Sequence, residues 1–258
     1  MKRNHFIYTY AGNKRNEAEH FLKYASFENV ENIFETFCGS SAISFHIWLK
    51  FKNKLNFYLN DNNKKLIEVY ELLKTKSVEE IENEINKIKE SIETKEEWNE
   101  YYKDKENESV YKYIFFSKYS SMRRLGMFPL TYERQRKSLF QITEYQKEFS
   151  KFIKSPNVFI SCGSWFELFD KHKDEETSLF FFDPPYINTC NDFYIEKNLN
   201  IYQYLYDNKI ESFQSKIYLI LEDIWLIRLL FINNKILFQY NKRYGISKKE
   251  TKHILIEK

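Results

Sequence analysis

The chain reads as an α/β layered domain with a mostly parallel sheet, interrupted in its middle by a helical insert. Three observations lead there. Short apolar runs alternate with helical spacings through the first third and again from Asn157; the stretch from Ser77 to about Lys154 shows no clear strand; and two of the four prolines follow directly on the apolar run Ser178-Leu179-Phe180-Phe181-Phe182.

The elements follow in order. Glu28 to Phe37 ends in an apolar strand (Ile33, Phe34, Phe37), Ser41 to Lys50 has helical spacing, Asn56 to Asn60 is a short strand, and Asn62 to Lys74 is an amphipathic helix. Ser77 to Tyr113 is almost free of Gly and Pro, densely charged and helical in period through Val78, Ile81, Ile85, Ile88 and Ile92. An aromatic, basic stretch then continues to about Lys154. From Asn157 the alternation resumes: strand Val158 to Cys162, short helix Trp165 to Phe169, strand Leu179 to Phe182, helix Leu199 to Phe213, strand Lys216 to Leu221 and helix Ile224 to Phe231. Two closing strands, Lys235 to Tyr240 and His253 to Glu257, flank a loop. This divides the chain into a first α/β part (1–75), a helical insert (76–150) and a second α/β part (151–258).

Composition excludes several classes. No segment approaches the roughly 20 apolar residues that span a bilayer, and Met1-Lys2-Arg3-Asn4 lacks a signal peptide's apolar stretch, so a cytoplasmic protein is expected. Cys38, Cys162 and Cys190 are odd in number and far apart, and His5, His20, His46, His172 and His253 form no ligand pair. Neither a disulfide framework nor a metal is expected. Lys far outnumbers Arg and Asn is abundant, which points to an AT-rich source such as a virus, a phage or an AT-rich host.

Net charge is only +3, but its distribution is uneven. From Lys112 to Lys154 ten basic residues face three acidic ones, a net +7 that leaves −4 for the rest. Arg123, Arg124, Arg134, Arg136 and Lys137 sit at the centre of this stretch. Phosphate contact is its natural use, a solvated helix surface the plainer one.

The chemistry is concentrated in Asp183-Pro184-Pro185-Tyr186. Proline fixes φ and lacks an NH, so the pair makes a stiff, extended exit from the strand that holds Asp183 at its tip. An ordinary acidic turn would look the same. An exocyclic base amine, however, is a poor nucleophile until acceptors engage its protons. Asp183 would take one and the Pro184 carbonyl the other, with Tyr186 stacked on the base. That geometry exists only for a base turned out of the duplex.

Ligands of open α/β sheets bind at the carboxyl ends of the strands. After the first strand comes Phe37-Cys38-Gly39-Ser40-Ser41, a turn whose glycine lets a ligand approach the backbone, and after the second comes Asp61, where a carboxylate could accept the hydroxyls of a ribose. Gly could equally be turn chemistry, and Asp a helix cap. Gly12 and Gly163 lie in two further turns of this kind.

With these residues assembled, the chain resembles the alpha group, or Dam type, of DNA adenine-N6 methyltransferases. Tyr10 to Lys14 resembles the family's aromatic-A-G-G-K segment, Glu35 to Ser41 its E-P-F-x-G-x-G loop, Asp61 to Asn63 its D-x-N, and Asp183 to Tyr186 its D-P-P-Y. Tyr113 to Gly126 is similar to the start of its recognition region, and Arg243 to Glu257 to its closing hairpin. The resemblance implies a Rossmann-like, S-adenosylmethionine-dependent methyltransferase sheet, of the kind found in restriction-modification systems. It implies cofactor contacts at Tyr10, Lys14, Phe37, Gly39, Ser41, Asp61, Ser164, Trp165 and Asp183, and direct transfer with Asp183, Pro184 and Tyr186 at the catalytic centre. Double-stranded DNA is the implied partner of a monomer or weak dimer. Ser41 replaces the loop's second glycine, Asn13 a glycine beside Lys14, and Ser164 an acid after the third strand. The family's recognition pattern is absent from Arg123 to Lys137, so the target sequence stays open. A binding module without catalysis, and transfer to an RNA adenine or a cytosine N4, stand as alternatives.

Overall fold

The computed structural model describes residues 4–10, 12–121, 124–187, 200–243 and 250–258. The chain divides into two compact units, one of Met1–Asn13 with Lys64–Pro156 and one of Lys14–Asn63 with Asn157–Lys258.

The second unit is built on a seven-stranded sheet: β1 (Asn32–Glu35), β2 (Asn56–Asp61), β3 (Val158–Cys162), β4 (Ser178–Phe182), β5 (Lys216–Glu222), β6 (Lys235–Arg243) and β7 (Glu250–Glu257). The order is β3-β2-β1-β4-β5-β7-β6. The first five strands in this order are parallel neighbours, whereas β7 runs antiparallel to both β5 and β6. This is the Rossmann-like α/β arrangement that the alternation of strands and helices predicts.

Aromatic side chains fix the register. Phe159, Tyr58, Phe34 and Phe180 face one another on four adjacent strands. Their rings stack in a row, with centroids 4.9, 4.5 and 4.5 Å apart and planes within 20° of parallel. Slipping one strand by a single residue would turn its ring to the other face, so the row specifies the pairing. α9 (Trp165–His172) lays His172 over Phe34 and Tyr58. Trp165 and Phe169 extend this core beneath Phe180 and Phe182.

The first strand is shorter than its apolar pattern suggests. Asn29, at φ 57°, turns the chain just before it, and past Glu35 the backbone leaves the ladder when Cys38 N donates to the Asn60 carbonyl. α1 (Arg15–Tyr24) precedes β1 and α2 (Ala42–Phe51) follows it. The latter is apolar almost all round and buried along most of its length, as befits an interior helix. α10 (Asn200–Asp207) is also shorter than its expected span, the chain tightening into a 3-10 turn at Ile210–Ser212 after Lys209 adopts φ 49°. α11 (Trp225–Leu230) precedes the closing hairpin.

The first unit is helical among its described residues: α3 (Lys64–Thr75), α4 (Val78–Glu90), α5 (Lys95–Lys103), α6 (Val110–Tyr119), α7 (Tyr132–Arg136) and α8 (Glu144–Lys154). The long helical period from Ser77 to Tyr113 is thus three helices. Capping boxes at Ser77/Glu80 and Thr94/Glu97 start the first two, and Ser109 caps the third. Trp98 anchors this core, its ring against Phe115, Phe116, Phe128 and Tyr132 and its indole NH donating to the Gly126 carbonyl at 2.7 Å. Gly126 has φ 83°, and a Cβ there would lie 2.3 Å from the Tyr102 ring, so only glycine fits. Phe6 packs on Tyr70 and Phe149, and its carbonyl accepts from Gln146 at 2.6 Å.

Phe34 lies fully buried at the centre of the stacked row. Phe34→Ala is expected to cost about 3–5 kcal/mol of unfolding free energy, measured by urea denaturation.

Candidate active site

In the order β2-β1-β4, the chain leaves β1 for β2 on one side and places β4 on the other, so the sheet has its switch point beside β1. The turns after β1, β2, β3 and β4 converge there as neighbours.

The end of β2 ties the first three turns together. Asn60 is buried; its amide donates to the Thr36 carbonyl at 3.2 Å and the Gly163 carbonyl at 3.0 Å, and its own oxygen accepts from Ser161 at 2.9 Å. Next to it, Asp61 accepts from Gly39 N at 3.0 Å on one carboxylate oxygen and from Asn63 N at 2.9 Å on the other. Burial pushes the Asp61 carboxyl upward from its ordinary value, against the pull of these backbone donors. The ribose contact expected of Asp61 would therefore use its remaining lone pairs.

The turn after β1 is wound tightly. Gly39 has φ 47° and Ser41 φ 49°, both left-handed. Ser41 stands where the resembling loop has glycine, and the backbone there does take the conformation that glycine favours. Position 13 differs: Asn13 is absent from the positive-φ residues, while Gly12 beside it has φ 82°. Glu35, at the tip of β1, reaches α2 and accepts from Ser44 N at 3.1 Å, capping that helix in place of the Ser41 side chain. Burial pushes the Glu35 carboxyl up to about 8, the Asp183 charge adding to the effect.

At the tip of β4, Asp183 is half-buried while Pro184, Pro185 and Tyr186 are buried. One Asp183 oxygen pairs with the Lys14 ammonium, and the other accepts from the Tyr186 hydroxyl at 2.9 Å. Lys14 also lies over the Tyr186 ring, 5.3 Å from its centroid. Tyr202 of α10 donates to the Pro185 carbonyl at 3.1 Å, anchoring the turn from behind. Among the described residues the Pro184 carbonyl accepts no hydrogen bond.

The turn after β3 holds Gly163, around which a Cβ would meet nothing within 4 Å, and Ser164, which caps α9 by accepting from Phe166 N at 3.2 Å. Capping explains a serine at this position. Trp165 is buried in the core against Phe37, Phe169 and Phe182.

The sequence model of one family, D12 class N6 adenine-specific DNA methyltransferase, matches residues 10–237. The chain belongs to that family. Among curated proteins it finds no match. As a D12 class methyltransferase it is an enzyme of adenine methylation, and DNA is its class of substrate.

In this D12 class chain, Lys14, Phe37, Gly39, Ser41, Asp61, Ser164, Trp165 and Asp183 through Tyr186 all belong to the sheet unit. Tyr10 belongs to the helical unit, its ring edge-on to Phe6 at 6.1 Å. In that same unit Arg124, Arg134 and Lys137 are exposed, Arg136 is half-buried and pairs with Glu93 at 3.4 Å, and Arg123 lies outside the described residues. So do residues 244–249 of the closing segment. Among the described residues no group of His, Cys, Asp and Glu is placed to hold a metal ion, and no helix is long and apolar enough to cross a membrane.

Sequence reasoning missed Asn60, Glu17, Lys242 and His253. Asn60 carries a signal, an amide directly after the apolar run Phe57-Tyr58-Leu59. His253 stacks on Tyr240 at 5.4 Å and meets the Tyr186 ring edge-on at 4.8 Å. Burial, then the Lys242 and Lys14 cations, hold its imidazole down to about 3, so it stays neutral at physiological pH.

Glu35 gives a pH test. Its folded-state value is raised, so the stability it contributes is complete below its ordinary value near 4.5 and is lost as pH climbs through about 8. The slope is about 1.4 kcal/mol per pH unit for one proton. Glu35→Gln, which keeps an acceptor for Ser44 N, is expected to flatten this loss, seen as a smaller fall in Tm between about pH 5 and pH 8 than in the parent.

Proposed function

We propose that this chain transfers a methyl group from S-adenosylmethionine to the N6 amine of an adenine turned out of double-stranded DNA. The observation that carries this is the tip of β4, where a half-buried carboxylate and a proline carbonyl that accepts no hydrogen bond among the described residues stand side by side at the switch point of the sheet. Two acceptors so placed can each take one amino proton and draw the nitrogen's lone pair out of conjugation.

The strand ends fit a nucleoside-bearing donor. Open space at Gly163, the backbone of Gly39 and the carboxylate of Asp61 lie at the tips of three neighbouring strands, with Lys14 and Asp183 at the fourth. Lys14, Phe37, Gly39, Ser41, Asp61 and Ser164 would hold the cofactor. When bound it supplies an electrophilic sulfonium methyl. Asp183 and Pro184 would orient the amine toward it, and the Tyr186 hydroxyl would keep the carboxylate in place. Stacking by Tyr186 requires its ring to be uncovered, since it is 5 % exposed and packed against His253.

Contact with DNA falls to the helical unit. Exposed Arg124, Arg134 and Lys137 are interspersed with exposed Leu125, Met127 and Leu130, the last 99 % exposed. Cations for phosphates among apolar side chains for unstacked bases suit a duplex that must be opened.

Asp183→Ala is expected to lower methyl transfer by at least about a thousandfold, while calorimetry still detects S-adenosylmethionine binding. An active variant would remove the proposed role, and digesting labelled DNA and RNA to nucleosides identifies the acceptor. Replacing Arg124, Arg134 and Lys137 by Gln should reduce the salt slope of DNA binding by about 0.9 per lost phosphate contact, read by fluorescence anisotropy. Arg136→Gln, which loses a cation paired with Glu93, is expected to change the slope less.

A further inference from the structure

A second buried ion pair adjoins the Lys14–Asp183 pair, and no step of the proposed transfer uses it. Lys242 of β6 reaches Glu17 of α1 at 2.6 Å, with side chains 17 % and 5 % exposed, and the Tyr240 hydroxyl donates to the same carboxylate oxygen at 3.3 Å. Lys14 is the cap of α1, its carbonyl accepting from Glu17 N at 3.0 Å and Ala18 N at 2.9 Å, so Glu17 lies within one turn of it. The four groups alternate in sign: Asp183, Lys14, Glu17, Lys242.

Docking of the hairpin does not account for this pair. His20 and Tyr24 of α1 already stack on Phe238 of β6 at 4.2 and 5.5 Å. A buried ion pair is weak evidence of stabilisation, because well-packed apolar groups commonly do as well. Moreover, the other Glu17 oxygen, Oε2, is buried and has no hydrogen-bond partner among the described residues. An unsatisfied carboxylate oxygen one turn from an ammonium is a competing seat for it.

We propose that Glu17 and Lys242 are positioning residues that set how the Lys14 ammonium is shared between Glu17 and Asp183. This rests on the methyltransferase function proposed above. With Lys242 in place, the Glu17 charge is balanced and Lys14 stays on Asp183, fixing the carboxylate that receives the amine. When an amino group donates to Asp183, Lys14 can lean toward Glu17 Oε2 without stranding a charge away from water. Both lysines act on Glu17: burial opposes its ionisation, and the Lys242 and Lys14 charges, with the Lys242 hydrogen bond and a backbone donor, hold its carboxyl below the ordinary value.

The test is Lys242→Met, which leaves Glu17 unbalanced so that it captures Lys14. The expected result is a fall in kcat on the order of a hundredfold, measured at saturating S-adenosylmethionine, with KM for DNA within about threefold of the parent. Removing the competitor as well, in Glu17→Gln/Lys242→Met, should recover at least about tenfold of that loss. A crystal structure of the folded Lys242→Met protein should place Lys14 Nζ on Glu17. The proposal is overturned by an unchanged kcat, by absence of recovery in the double variant, or by Lys14 still seated on Asp183. Should the parent methylate no nucleic acid, the proposed function fails instead, and the position of Lys14 in the variant still decides the sharing.

Discussion

The turns after β1, β2 and β3 depend on two adjacent residues at the end of β2. Asn60 and Asp61 accept and donate for the turns on both sides, binding Thr36 and Gly39 on one and Gly163 on the other. These loops carry no regular ladder, and their backbone groups would otherwise be buried without partners at a free-energy cost. The side chains of one strand therefore do for three loops what hydrogen-bonded pairing does for the strands beneath. Because the stacked row of Phe159, Tyr58, Phe34 and Phe180 fixes the register below, the turns emerge at set heights.

Of the carboxyl groups near the switch point, Glu35 and Asp183 are divided by their surroundings. Glu35 is buried, caps α2 and holds its proton through neutrality, so it serves as a neutral strut. Asp183 is half-buried and pairs with the Lys14 ammonium instead of capping a helix. A protonated neighbour adds no second anion next to Asp183. The Ser41 turn is organised by the same strut: its left-handed backbone leaves the serine side chain out of the capping position, and Glu35 fills it from the adjacent strand.

Much of the fold was legible because it rests on short-range pattern. The strands Val158–Cys162 and Ser178–Phe182 are short apolar runs bounded by turn residues, and their ends follow from that alone. The strand before Gly39 is shorter than its pattern, since its apolar residues continue past the point where the backbone turns to Asn60. The helical stretch after Ser77 was read without its breaks, although each start carries a capping serine or threonine that periodicity does not register. At the site, motif residues that bind through backbone or a single carboxylate could be named from the chain. Partnerships could not: Lys14 with Asp183, and Glu17 with Lys242, join residues more than 150 positions apart, and no local pattern encodes such distances.

The antiparallel strand β7 lies between β5 and β6, so β6 has no seat on the sheet except through a strand made after it. Besides β7, β6 rests on α1, where His20 and Tyr24 stack on Phe238. Lys242 and His253 therefore share one support, and loosening the β5–β7 ladder would shift both side chains at once.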